Sequence, residues 1–191
     1  MIQLPPLLEE CTPDETLRHR YRVAFLADFF ADYLKFPTDL KALLFEGGFY
    51  HDLGKEVIPT ELLYKASPLT EEEFHQIKQH VVLSSTVEPF DQLKLEVKWM
   101  ILQHHEKFDG TGYPLGLKGS EIHPFAQMIA LCDVFDALTT PRCYHQPRSK
   151  EDALAFIREN RGTHFNPEIA DDFIAFVQQL TPAQFKEAVA A

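Results

Sequence analysis

Helix-start signals recurring along the chain, apolar residues at helical spacing and the lack of any sustained apolar/polar alternation together predict an all-α fold. Thr12-Pro13-Asp14-Glu15 supplies an N-cap, a first-turn proline and a capping-box glutamate, and the helix it opens runs to about Phe36 before Pro37 stops it. Its apolar stripe, including Phe25, Phe29, Phe30 and Leu34, is expected in the core. Thr38 can cap a second helix ending near His51-Asp52, and a short helix spans about Pro59 to Lys65. Thr70-Glu71-Glu72-Glu73 forms a second capping box, for a helix to about Thr86; the next runs from about Phe90 to His105. After a glycine-rich loop, Pro124 to about Thr139 is apolar on most sides and reads as a buried helix. Ser149 caps a helix to about Asn160, Asn166-Pro167 opens another to about Leu180, and Thr181-Pro182 starts a short terminal one.

A chain of 191 residues suffices for one well-cored domain, so residues 1–191 are expected to form a single domain with 1–12 as a lead-in and no separate regulatory domain. Hydrophobic residues at 45% and charged residues at 25% are an ordinary globular balance. No apolar run approaches the roughly 20 residues of a membrane helix, so no membrane insertion is expected. The N-terminus lacks the basic and apolar regions of a secretory signal. Cys11, Cys132 and Cys143 are odd in number without CxxC spacing, which suits reduced thiols and a cytoplasmic location. A formal net charge of -11 argues against duplex nucleic-acid binding. It still permits an anionic substrate if a few carboxylates hold divalent cations.

The chemistry concentrates in five places. His104 and His105 are adjacent imidazoles ahead of Asp109-Gly110-Thr111-Gly112-Tyr113-Pro114, where Gly110 and Gly112 permit backbone angles closed to other residues and Pro114 fixes its own φ. Alone, this segment is equally compatible with a surface pair and a turn. Glu15 and His19 lie four apart, about 40° on a helix, and can address one point, although Glu15 also suits the cap. His51 and Asp52 end an apolar helix, with Lys55 close enough to meet a phosphate. His80 reads either as a ligand or as a half-buried core histidine. Asp133 sits in an apolar run where an unpaired carboxylate is expensive; a metal, a hydrogen-bond donor or Arg142 could offset that cost. Histidines and carboxylates spread over several helices are what a bundle needs for a multinuclear centre in its core.

The pieces ETLRHRYRV, FYHDLGK, SPLTEEEFHQIKQH, HHEKFDGTGYP, ALCDVFDALTTPRCY and GTHFNP occur in this order. In that order and spacing the chain resembles the HD-GYP family, a branch of the HD phosphohydrolases, over nearly its whole length. The resemblance implies a compact HD-type helical bundle with its metal centre in the core, and metal ligands at His19, His51, Asp52, His80, His104, His105 and Asp133. Glu15 falls where members with a third metal carry a glutamate. It further implies hydrolysis of cyclic di-GMP by a hydroxide bridging two ions, to linear pGpG, with or without onward cleavage to GMP. Metal binding can lower the pKa of water from about 15.7 to about 7. In that scheme Asp52 bridges the ions, Lys55 binds phosphate or helps protonate the leaving group, and Arg142 and His145 add cations. Gly112, Tyr113 and Pro114 form the loop that contacts the nucleotide. An all-nitrogen and oxygen ligand set suits two or three divalent ions, iron or manganese first.

The chain departs from the family pattern at Cys143-Tyr144-His145, and at Ser84, Gln127 and Asn166, where packing rather than chemistry is the expected consequence. His75, His123 and His164 match no ligand position and are assigned to surface or structure. Asp109 and Asp136 read either as partners of histidines or loop amides, or as fold support. Many relatives carry a sensory or receiver domain ahead of this one, so either a separate signalling protein regulates the chain or it is a piece of something longer. Two alternatives stand beside the enzyme: a catalytically weak cyclic dinucleotide receptor or interaction module, and a phosphohydrolase acting on a mixed cyclic dinucleotide.

Overall fold

The computed structural model describes residues 13–65, 67–141 and 146–181. Arg142, Cys143 and His145, the 1–12 lead-in with Cys11 and Thr12, and the terminal helix expected after Pro182 lie outside the described residues. Long helices dominate: α1 (Pro13–Tyr33), α2 (Thr38–Tyr50), α6 (Leu95–Gln103), α7 (Pro124–Thr139), α8 (Lys150–Glu159) and α9 (Pro167–Gln179). Between α2 and α6 the chain is broken into α3 (Thr60–Leu63), α4 (Glu71–Lys78), α5 (His80–Leu83) and short 3₁₀ turns, including Leu53–Val57 and Ser84–Thr86. Among the described residues there is no strand, only one isolated bridge between Arg161 and Phe165.

Local chemistry sets most boundaries. Thr70 and Glu73 form the reciprocal capping box of α4, while Ser149 and Asn166 accept from first-turn amides of α8 and α9. Thr38 is not a cap: it is the first helical residue of α2, Pro37 precedes it in extended geometry, and no side chain closes that end. The helix expected over 70–86 is interrupted at Gln79, where the chain turns and restarts at His80. The helix expected from Phe90 begins only at Leu95, after a 3₁₀ turn over Phe90–Gln92 and extended backbone at Leu93 and Lys94.

α1 packs along α2, α2 on α6, and α7 lies across α1, α2 and α6, with α8 and α9 closing its far side. The aromatic centre of this packing is Phe30, Phe135 and Phe173, all fully buried, with Phe30 edge-on to Phe173 at 5.1 Å and near Phe176 at 5.3 Å. Phe29 and Leu34 pack against the core as expected. Phe25 does not join it: Val23, Ala24, Leu26, Ala27 and Phe30 face inward, and Phe25 falls on the outer side with Tyr21 and Phe45. α7 is buried from Ala126 through Cys132, so its two aspartates enter the core with it.

α1 and α2 approach each other at Gly48. A Cβ there would lie 2.7 Å from the Ala24 Cα and 2.9 Å from its nitrogen, both main-chain atoms that cannot step aside. Gly48→Ala is therefore expected to destabilise the protein by about 1–3 kcal/mol. In thermal unfolding this is a fall of roughly 3–10 °C in Tm for a chain of this size; an unchanged Tm would show that the two helices can slide apart at no cost.

Candidate metal centre

Three of the histidines sit where a helix ends or breaks, and each makes the same bond. A helix's last carbonyls have no intrahelical donor. His51, the C-cap of α2, donates from Nδ1 to the Gly48 carbonyl at 2.7 Å; His104, the C-cap of α6, donates to Ile101 at 2.8 Å; His80, just past the break after α4, donates to Ile77 at 2.7 Å. With the proton held at Nδ1, the Nε2 lone pair of each ring is committed to the interior. The Nε2 atoms of His51, His80 and His104 are buried and make no hydrogen bond. Leaving such a group unsatisfied costs about 1–3 kcal/mol. Burial first, and then the neighbouring imidazoles and Lys55, push the His80 and His104 rings toward the neutral form; burial holds His105 down to about 3.

These rings form two groups. Asp52, His80, His104 and His105 bring one ligand atom each to within 4.8 Å of one another, and His19, His51 and Asp133 do the same. Asp52 lies between them. Its Oδ1 is 3.4 Å from His80 Nε2, while its Oδ2 is 3.3 Å from His51 Nε2 and 3.6 Å from His19 Nε2. Each oxygen thus faces one group, the arrangement a bridging carboxylate requires. Burial opposes ionisation of Asp52, but Lys55, whose Nζ donates to Oδ2 at 2.6 Å, and His51 outweigh it and hold the carboxyl well below its ordinary range. Asp133 is likewise held low against burial by His19 and His51, with His19 Nε2 at 3.1 Å from its Oδ1. Neutral imidazoles, buried lone pairs and two ionised carboxylates fit divalent cations.

His19 is positioned differently, because mid-helix it has no spare carbonyl. Its Nδ1 meets Asp136 Oδ2 at 2.6 Å. Arg22 binds both oxygens of Asp136, at 2.7 and 3.2 Å, and Thr140 donates to Oδ1 at 3.1 Å. Asp136 is therefore a buried partner that orients His19, one turn below the candidate ligand Asp133. Arg22 also donates to Glu15 Oε1 at 2.6 Å, and Glu15 belongs to neither ligand group. On α7, Arg22 goes to Asp136, while Arg142, the cation the sequence offered to Asp133, lies outside the described residues.

The loop after His105 braces the centre. Glu106 is buried and its two oxygens accept from Leu115 N at 2.7 Å and Leu117 N at 3.0 Å, folding the loop back on itself. Gly110 has the positive φ the sequence suggests, +85°, but Gly112 is required for space: a Cβ would sit 2.3 Å from Lys107 N and 2.5 Å from Glu106 Cα. Tyr113 is half-buried, bonds through its amide to the His105 carbonyl at 3.1 Å, and stacks its ring on His105 at 4.8 Å. Burial and the two nearby carboxylates raise its phenol, which stays protonated at neutral pH. Pro114 and Leu115 beyond it are exposed. Asp109 accepts from Thr111, and the turn at Thr163 and His164 accepts from the amides of Asp109 and Phe108.

Every expected ligand among the described residues except Glu15 is thus gathered into one centre, with Lys55 and Tyr113 at its edge. Ser84 proves structural: its hydroxyl takes the Gly54 amide and gives to the His80 carbonyl, both at 2.9 Å, tying the His51-Asp52 turn to α5. Gln127 donates to Gly119 and Ile122, and His123 caps α7 by accepting from Phe125. Sequence reasoning did not single out Glu106 or Arg22. An acidic side chain directly after the histidine pair, and an arginine three residues past His19, were the available signals.

A model of the HD domain family matches residues 6–169. A Vibrio cholerae protein named probable cyclic di-GMP phosphodiesterase is 38% identical over 175 residues, covering 85% of this chain and 40% of that protein. Another protein of that organism, 3′3′-cGAMP-specific phosphodiesterase 3, is 34% identical over 157 residues, covering 80% of this chain and 33% of its own length. The chain spans about half or less of the curated relatives it matches. Among solved structures, an HDG"Y"P protein from Bdellovibrio bacteriovorus superposes with a TM-score of 0.67 at 22% identity, over 84% of this chain and 51% of that one. That likeness is one of fold.

Asp136→Asn keeps the shape but loses the charge that orients His19. We expect metal affinity to fall about 10–100-fold, the usual cost of removing a ligand's partner; isothermal titration of the folded variant with wild-type affinity would mean His19 needs no such partner. The metal-free protein should also lose stability with acid. His105 drops from 6.5 when exposed to about 3 when folded, so in that window the unfolded chain binds more protons. Stability then falls as pH falls through 6.5, and the depressed Asp52, Asp133 and Asp136 add to the loss in the carboxylate range. Tm of the metal-free protein between pH 7 and 4 measures this; a flat or rising curve contradicts it.

Proposed function

The chain belongs to the HD domain family, in its HD-GYP branch, and on that premise we propose that it is a metal-dependent phosphodiesterase that hydrolyses cyclic di-GMP. The observation that carries the reading is the convergence of two ligand groups on Asp52, with one carboxylate oxygen toward each. His19, His51 and Asp133 would hold one ion and His80, His104 and His105 another, with Asp52 shared. Such a pair supplies a strong nucleophile at neutral pH and neutralises charge growing on the phosphoryl oxygens.

The chain's own groups do the rest. Nδ1 bonds to backbone and to Asp136 keep four imidazoles in one tautomer, so none needs to reorient during the reaction. Lys55, partly exposed beside Asp52, is placed to bind a substrate phosphate or to protonate the leaving oxygen. Tyr113 remains a phenol and can donate to the nucleotide while its ring holds His105 in place. The product is linear pGpG, with further cleavage to GMP as the second step. Iron or manganese suits the ligand set best. A third ion at Glu15 requires that carboxylate to leave Arg22, so metal stoichiometry separates two ions from three. A signalling partner outside this chain, and cations from Arg142 and His145, complete the reading. The 3′3′-cGAMP-specific relative supports a second reading, a mixed cyclic dinucleotide as substrate, because metal ligands carry no base specificity.

Anaerobically purified protein, with its metal counted, should convert cyclic di-GMP to pGpG by chromatography, and Asp52→Asn should lose both activity and metal. Binding without turnover under several metals would instead identify a receptor, and faster turnover of 3′3′-cGAMP the mixed substrate.

A further inference from the structure

Beside the centre lies a slot of about 630 Å³ that the ligand set does not use. Leu63, Leu69, Phe74 and Ile77 form its walls, and Lys55 and Lys65 flank it. Its volume is in the range of small-molecule sites, roughly 300–1,000 Å³. Three things mark it as a site for an aromatic anion. Phe74 is 49% exposed and Leu69 37%, so apolar surface faces water where a flat apolar group could cover it. Of the lysines near it, Lys65 is already paired with both oxygens of Glu73, at 2.7 and 2.6 Å, and the Lys78 ammonium, outside the lining, lies over the rings of Phe74 at 4.7 Å and Tyr113 at 5.0 Å, which brings a cation to the aromatic wall. Lys55, finally, belongs both to the slot and to the centre, where it donates to Asp52.

We propose that this slot seats one purine base of the cyclic dinucleotide, with Phe74 as the stacking platform. The proposal rests on the cyclic dinucleotide reading above. A phosphate at Lys55 places the attached nucleoside within reach of the slot, while Lys78, over both Phe74 and Tyr113, joins the slot to the Tyr113 loop. Every base has a π-face, so a platform of this kind binds purines by stacking and shape.

Steady-state kinetics of the metal-loaded protein test this. Phe74→Ala should raise KM for cyclic di-GMP on the order of 10- to 100-fold, the loss expected for one stacked base, with kcat within about threefold of wild type, as for uniform binding. Metal content should be unchanged, and Phe74→Trp should restore a KM near wild type. If the protein binds without turnover, the same ratios are read in Kd. Wild-type KM in Phe74→Ala, or a loss of metal in it, overturns the slot while leaving the phosphodiesterase reading intact. A wild-type protein that neither binds nor hydrolyses any cyclic dinucleotide overturns both.

Discussion

The centre depends on one repeated interaction: an imidazole Nδ1–H given to the carbonyl three residues earlier, at the point where a helix ends or breaks. His51, His80 and His104 all make it. The bond satisfies a carbonyl that the ending helix leaves without a donor and fixes the tautomer of the ring. It also turns a buried lone pair toward the same interior point from three directions. Helix ends that would be liabilities in a core become the source of the candidate ligands. The interruption at Gln79 and the stop of α6 at Gln103 are in this sense parts of the site.

Around that frame, charge burial is balanced locally. Lys55, donating to Asp52, keeps that carboxylate ionised against its burial, and the burial that discourages cationic imidazole leaves the His80 and His104 rings neutral and able to bind metal. The line Glu15–Arg22–Asp136–His19 extends this balance to the surface of α1. It gives His19, the centre's mid-helix histidine, the acceptor that its own backbone cannot supply. The glycine-rich loop is tied in from beneath, by Glu106 and by the close approach at Gly112, so that Tyr113 lies on His105 instead of hanging in solvent.

The regular parts of this architecture were legible because their signals are local. The capping box at Thr70, the prolines opening α7 and α9, and the apolar run of α7 each dictate their outcome within a few residues. So was most of the candidate ligand set, since histidines and aspartates in this order resemble one family closely. The break at His80 was not legible, because a run such as EFHQIKQHVVL continues helically unless a ring takes a carbonyl away. Phe25 carries an apolar signal that a 100° turn of the helix places outward.

Residue type and order were enough to mark most of the helices, the candidate ligands and the family, since these follow from local propensity and from which atoms can bind a metal. The pairing of Asp136 with His19, the clamp of Glu106, the division of the ligands about Asp52 and the slot at Phe74 needed the folded chain. They join residues up to 117 positions apart, and which partners meet across such distances is decided by how helices pack, a property no single segment carries.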